Sequence, residues 1–279
     1  MEKEELLLGK RLRELSNTAW RRGIPTFTDF LNLNELNILH TTPKDEFPAP
    51  YRTFGGYAFS ERQMAVFLPD AFSLYADISE IESQFPIRIL KITPLQKKFA
   101  EELSHRDYLG ALLNLGIERA KLGDILVTGE GALVFAEEKI APFLCENLYR
   151  VRHTSVQAEK LEGADFDWTP RFEEIRGTVA SVRLDSLLAL AFHSSRSRLS
   201  PLIEAGKVYV NGKLITANGF QPREGDIVSV RGMGRFIYRE MLSETKKGRI
   251  FVRAGDQPTV WRIADQHLEG DPPVGRNRI

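Results

Sequence analysis

The chain is poor in cysteine, has no long apolar run and carries no net charge, and each shortage excludes something. Cys145 is the single cysteine among 279 residues, so no disulfide can form within the chain, which fits a reducing cytoplasm. No stretch approaches the roughly 20 apolar residues that a membrane-spanning helix needs. The start, Met1 to Ser16, offers only Leu6-Leu7-Leu8 behind acidic residues, too short and wrongly flanked for a secretion signal. His40, His105, His153, His193 and His267 are scattered without metal-ligand spacing, and Cys145 has no Cys or His close in sequence, so neither a metal site nor a cofactor is expected. What is present is ordinary: 42% hydrophobic residues, enough for several cores. The length gives room for two or three compact units. The expectation is a cytoplasmic protein of several small domains.

Lys+Arg and Asp+Glu are equal at 38 each, but unevenly placed. Residues 181–250 hold twelve basic and six acidic residues, a net of +6, while residues 1–180 hold 22 and 28, a net of −6. A basic module on an acidic body leans toward a polyanionic partner for one segment.

Periodicity divides the chain into an α+β arrangement of three small domains. The first, α/β in character, spans residues 1–75. Leu6, Leu7, Leu12, Leu15 and Ala19 mark an amphipathic helix ending at Arg21-Arg22-Gly23. A second, shorter helix is expected with a cap near Thr28 or Asp29, then strands over Tyr51–Tyr57 and Met64–Leu68. The second domain, residues 76–163, reads as a central α+β sandwich resembling an RNA-recognition-motif sheet. It has a strand over Ile87–Ile92, helices over Leu95–Leu103, His105–Leu115 and Glu137–Tyr149, a hairpin across Gly129-Glu130-Gly131, and a closing strand over Thr154–Leu161. The aromatic pattern by which such a sheet stacks bases is not visible. A polar link leads to the third domain, residues 178–253, and residues 254–279 read as a variable tail that either orders on binding or stays disordered.

The third domain is the informative one. Helices are expected over Val182–Phe192 and from a Ser194/Ser195 cap through Glu204-Ala205, with Gly206 ending the second. Lys207–Val210 and Lys213–Ile215 flank Asn211-Gly212, the pair that best tolerates a tight hairpin turn. Two helices followed by a hairpin can place Arg196, Arg198, Lys207 and Lys213 along one groove, where cations gain by releasing counterions from phosphates. Arg196 adds bidentate geometry that Lys lacks. Ser195 offers a hydroxyl, and the Asn211 amide either meets RNA or only makes the turn. Arg183-Leu184-Asp185, Ser195-Arg196, Leu202-Ile203, Gly206, Val208 through Lys213, and Gly225-Asp226 together resemble the S4 RNA-binding domain with its αL motif. In that pattern Asp185 orients Arg183 or caps local structure rather than touching RNA. Pro201 departs from the pattern, and a kink or restart at Ser200 is expected there.

The resemblance continues outside this module. Phe27 through Leu31, Gly55-Gly56-Tyr57, Leu68-Pro69-Asp70, Leu103 through Leu112 and Gly123-Asp124-Ile125 are similar to segments of the YlmH family of S4-domain RNA-binding proteins. So are Arg231-Gly232-Met233-Gly234-Arg235-Phe236 and Thr245-Lys246-Lys247-Gly248-Arg249. The resemblance implies RNA binding, for which the candidates are Arg183, Ser195, Arg196, Arg198, Lys207, Asn211 and Lys213; Arg231 and Arg235, with Lys246-Lys247-Gly248-Arg249, either extend the basic face or are in part plain surface. It also implies rRNA or tRNA as the partner, a place on the large ribosomal subunit with stalled peptidyl-tRNA, and an association with cell division.

An enzyme is the competing class, because RNA-modifying enzymes also carry S4 modules. No synthetase signature, phosphate-binding loop or dinucleotide fingerprint is present. His105 and Asp107 stand two apart, which on a helix turns them to different faces. A non-enzymatic RNA-docking protein is expected, with an RNA-modifying enzyme as the alternative.

Overall fold

Helix α1 (Lys3–Arg22) buries Leu12 and Ala19 against Leu36, Leu39, Phe47 and Phe67. It stops at Gly23, whose φ of 65° suits glycine. The chain is described here from a computed structural model covering residues 3–69, 77–161, 172–175, 177–238, 243–244, 250–252 and 260–263. Helix α2 (Leu33–Thr41) is capped by Asn32, which forms a reciprocal capping box with Glu35. This corrects the cap expected at Thr28 or Asp29. Thr28 instead accepts the Ala65 N–H at 2.8 Å, and Asp29 pairs with Lys121 at 2.8 Å. Strands β1 (Thr26–Phe27), β2 (Tyr51–Phe54) and β3 (Met64–Phe67) form an antiparallel sheet in the order β1-β3-β2.

A short helix α3 (Ile78–Ser83) leads into the central domain. Its strands are β4 (Ile87–Pro94), β5 (Leu122–Thr128), β6 (Gly131–Glu137), β7 (Arg150–Val151) and β8 (Thr154–Leu161). They pair antiparallel in the order β5-β6-β4-β8-β7. Helices α4 (His105–Asn114) and α5 (Ala141–Asn147) cover one face, burying Tyr108, Leu112 and Leu144 against Leu90, Ile92 and Val134. The helix expected over Leu95–Leu103 is only a 3-10 turn at Lys97–Phe99, and the one expected over Glu137–Tyr149 is confined to α5, with a proline in its first turn.

The opposite face of this sheet belongs to the first domain. Ile87 and Phe135 share one core with Phe30, Tyr57, Met64 and Val66, with Ile89 packed against it, and the Tyr57 and Phe135 rings stack at 5.0 Å. Gly56 and Gly123 permit the approach, since a Cβ at either would fall within 2.7 Å of Phe135 or Phe30. The first two regions are therefore packed as a unit.

In the C-terminal domain, helices α6 (Leu184–Ala191) and α7 (Arg196–Glu204) pack on a sheet. Its strands are β9 (Phe172–Glu174), β11 (Val208–Val210), β12 (Lys213–Leu214), β13 (Ile227–Val230), β14 (Gly234–Tyr238) and β17 (Val260–Ile263), in the order β12-β11-β13-β14-β17-β9. A smaller sheet pairs β10 (Gly177–Val179), β16 (Ile250–Val252) and β15 (Ser243–Glu244). Two expectations need correction. Helix α7 runs through Pro201 without a break: Ala205 N–H reaches the Pro201 carbonyl at 2.9 Å, and the helix loses one donor only. The region read as a variable tail contributes β17, hydrogen-bonded between β14 and β9. Lys246-Lys247-Gly248-Arg249, Asp70, the link at 163–170 and the rest of the tail lie outside the described residues.

Candidate nucleic-acid interface

The N-terminal ends of α6 and α7 meet around one carboxylate. Asp185, in the first turn of α6, has only 5% of its side chain exposed. It accepts from Nε and Nη2 of Arg183 at 3.2 and 3.5 Å, and from Nε (3.1 Å) and Nη2 of Arg196. Burial alone would raise the Asp185 carboxyl, but hydrogen bonds from Arg196 and then Arg183 outweigh it and hold it below the usual range. Arg196 nevertheless keeps half of its side chain in solvent. Each guanidinium spends Nε and one amino group on Asp185, so the other amino group, Nη1, is oriented and, among the described residues, unspent. The role expected of Asp185, orienting Arg183, thus extends to Arg196.

Nearby, Ser195 precedes α7 without a side-chain capping bond, and its hydroxyl meets that of Ser197 at 3.0 Å. Arg198 on α7 is exposed, as is Lys207 before β11. Arg231 N–H donates to the Lys207 carbonyl at 2.9 Å, which places these two cations side by side. The Arg231 guanidinium lies 5.5 Å over the Tyr209 ring, a cation–π contact.

Two expected site residues, Asn211 and Arg235, are engaged within the protein. The Asn211 amide is committed inside the protein, donating to Asp226 at 2.8 Å and accepting the Ile227 N–H at 2.9 Å, so it serves the turn. Both turn residues have positive φ, 49° and 77°, as the Asn-Gly pair led one to expect. The turn itself is docked: a Cβ on Gly212 would lie 3.2 Å from Leu36. Asn37 Oδ1 of α2 accepts the Leu214 N–H at 2.8 Å, and Asn34 Oδ1 accepts the Tyr209 hydroxyl at 2.6 Å. Lys213 stays exposed beside His40, whose pKa is lowered by burial and then by that ammonium.

Arg235 is a correction. Its side chain, 12% exposed, lies 3.7 Å from Asp124 of β5 and donates to the Tyr57 hydroxyl at 3.2 Å. Asp124 also accepts the Tyr57 hydroxyl at 2.8 Å and the backbone N–H groups of Glu61 and Arg62 at 2.7 and 3.0 Å. Arg62 donates to the carbonyls of Leu122 and Phe30, both at 2.9 Å. Arg119 has a pKa lowered to about 10 by burial and then by Arg62. Arg235 is therefore a structural cation at the meeting point of all three domains. The sequence signal for this junction existed: Gly55-Gly56-Tyr57, Gly123-Asp124-Ile125 and Gly234-Arg235 were singled out separately, and only the fold brings them together.

The possible His105–Asp107 pair dissolves into local structure. Asp107 closes the capping box of α4, accepting the Ser104 N–H at 2.9 Å and its hydroxyl at 2.7 Å. Among the described residues no group of three or more His, Cys, Asp or Glu is placed to hold a metal ion, and no helix is long and apolar enough to cross a membrane.

Comparison with known proteins agrees with this architecture. Residues 81–165 match a family model described as "Putative RNA-binding domain in YlmH", and residues 182–228 match the S4 domain. The chain is 30% identical over 223 residues to "Ribosome-associated protein quality control protein P2" of Bacillus subtilis (strain 168), an alignment covering 80% of this chain and 83% of that protein. It also shows a partial likeness, at 24% identity and a TM-score of 0.47, to the solved structure of "Cell division protein ylmH from Streptococcus pneumoniae", covering 60% of this chain and 96% of that one. With the central and S4 matches in the same order as the two structural units, and a relative aligned over most of both chains, the protein belongs to the YlmH family of S4-domain proteins.

Proposed function

We propose that the chain is a non-enzymatic, cytoplasmic RNA-binding protein that docks rRNA or tRNA on the large ribosomal subunit through its S4 domain, in ribosome quality control. The observation that carries this reading is the Asp185 clamp, which presents an unspent amino group from each of Arg183 and Arg196 at the start of two helices. Phosphate oxygens match that geometry, and the helix N-termini add partial positive charge. Arg198, Lys207, Arg231 and Lys213 are further exposed cations of the same domain. The partner is inferred from the relative named as ribosome-associated. A role in cell division has no structural feature behind it.

The test uses Arg198→Ala with Lys207→Ala, because neither side chain has a partner among the described residues. Arg196→Ala would also strip Asp185 of a donor. Cosedimentation with purified large subunits is expected to weaken at least tenfold, with melting temperature unchanged and the salt dependence shallower by about one unit per lost phosphate contact. Wild-type affinity in the folded variant would refute the site. Crosslinks in cells that converge on one chemically modified nucleotide would point to the enzyme instead.

A further inference from the structure

The central domain carries a cavity of about 540 Å³ on its helical side, lined by none of the S4 domain's cations. The sheet face on which a recognition-motif domain lays out RNA is occupied here by the first domain through Ile87, Phe135 and Tyr57. Any contact of this domain with RNA must therefore be made elsewhere. The cavity is lined by α4, the end of α5 and β7, and three features of it point the same way.

Tyr149 lines it with 70% of its surface in water, a large ring that is mostly uncovered. Arg106, Arg150 and Arg152 surround it. Arg106 and Arg150 are exposed and have no carboxylate partner among the described residues, while Arg152 is held only loosely, 3.7 Å from Asp107 and 3.9 Å from Glu101. Arg152 also has a φ of 51°, a conformation that disfavours arginine and that Gly or Asn would hold more cheaply. Finally, Gly110 sits in the middle of α4, where alanine would stabilise the helix, and apart from its own stretch of helix no described atom lies within 4 Å of where its Cβ would be. Packing does not require that glycine, and it keeps the cavity open.

We infer that this cavity is a second RNA site, one that takes an unstacked base of a single-stranded segment on Tyr149 with the flanking phosphates at Arg150, Arg106 and Arg152. A ring with a free face accepts any base, and cations beside it track the backbone, which is how sequence-tolerant single-strand sites are built. The Asn114 amide, exposed on the same rim, can meet a base edge. The volume falls within the range of small-ligand sites. The inference rests on the RNA-binding reading and deepens the description of the matching family model for this domain by naming the site and the class of RNA it takes; its test is separable from that of the S4 surface.

The experiment measures binding of the full chain to a fluorescein-labelled oligouridylate by anisotropy, beside a labelled RNA stem-loop as the structured probe. Tyr149→Ala is expected to weaken oligouridylate binding by about tenfold, the order of one base stacked on one ring, while Tyr149→Phe keeps it. Gly110→Leu should fill the cavity and lose the same binding with an unchanged or higher melting temperature. Arg106→Ala with Arg150→Ala should flatten the salt dependence by roughly 0.7 per phosphate. Arg198→Ala with Lys207→Ala should weaken the stem-loop and spare the oligouridylate, so failure of the S4 reading shows in a different arm. Unchanged oligouridylate affinity in Tyr149→Ala and Gly110→Leu overturns the inference. So does a Tyr149→Ala variant that binds RNA normally but loses a ribosomal protein, since the cavity then serves a protein partner.

Discussion

Removing Asp124 should destabilise the protein far more than removing Arg235, although the two form one ion pair. Asp124 is 10% exposed and serves four donors: the Tyr57 hydroxyl, the N–H groups of Glu61 and Arg62, and Arg235. Asp124→Ala takes the carboxylate acceptor from a hydroxyl and two backbone N–H groups and the counter-charge from Arg235. Each such orphan costs about 1–3 kcal/mol, and stripping one partner from a buried pair typically costs about 3–5 kcal/mol. Arg235→Ala leaves Asp124 with three donors in place, so the loss is a long ion pair and one hydrogen bond, about 1–2 kcal/mol. Calorimetric unfolding should show Asp124→Ala melting roughly 10 °C below wild type and Arg235→Ala only a few degrees below, at about 2–4 °C per kcal/mol for chains near this size. Tyr57→Phe should fall between them. Equal effects of Asp124→Ala and Arg235→Ala would refute the argument, because they would mean that the ion pair, not the set of backbone and hydroxyl donors, holds the junction.

Three further outcomes follow from the same contacts. Asp185→Ala frees Arg183 and Arg196, both partly exposed and able to resolvate, so it should cost only about 1–2 kcal/mol yet weaken large-subunit binding like loss of a cation, read by cosedimentation beside Arg198→Ala. The folded-state pKa of His40 lies below its ordinary 6.5 through burial and the Lys213 ammonium; stability from its neutral form is therefore present above 6.5 and lost as pH falls from there through the folded value, a slope that His40→Gln should remove from denaturant midpoints measured across that range. Gly212→Ala places a Cβ at positive φ and 3.2 Å from Leu36, and should cost about 1–2 kcal/mol, with proteolysis near the hairpin rising as the turn leaves α2.

Elements with strong periodicity or specific punctuation were legible in the sequence. Helix α1 with its Gly23 stop, the β5–β6 hairpin and the Asn211-Gly212 turn follow from local patterns that tertiary context does not override. The failures have equally local causes. The apolar residues of Leu95–Leu103 gave a helical spacing, but Leu95 is left in solvent, so no packing rewarded a helix. The cap of α2 went to Asn32 because Thr28 was already bonded across a sheet to Ala65, a pairing 37 residues away that no window could contain.

The candidate site shows why cations cannot be counted from sequence alone. The net of +6 in residues 181–250 includes Arg235, which is consumed at the junction, and Arg183 and Arg196, which share one carboxylate. What decides whether a cation can meet a phosphate is the acceptor already beside it. By that criterion, and among the described residues, Arg198 and Lys207 have no acceptor beside them, Arg183 and Arg196 are half spent but oriented, and Arg235 is committed to Asp124 and Tyr57. Orientation matters as much as number: a free lysine attracts any anion, while a guanidinium fixed by Asp185 offers its remaining donors in one direction only. Asp185, one of the six acidic residues that lower the net charge of this segment, is thus the one that fixes the direction of Arg183 and Arg196.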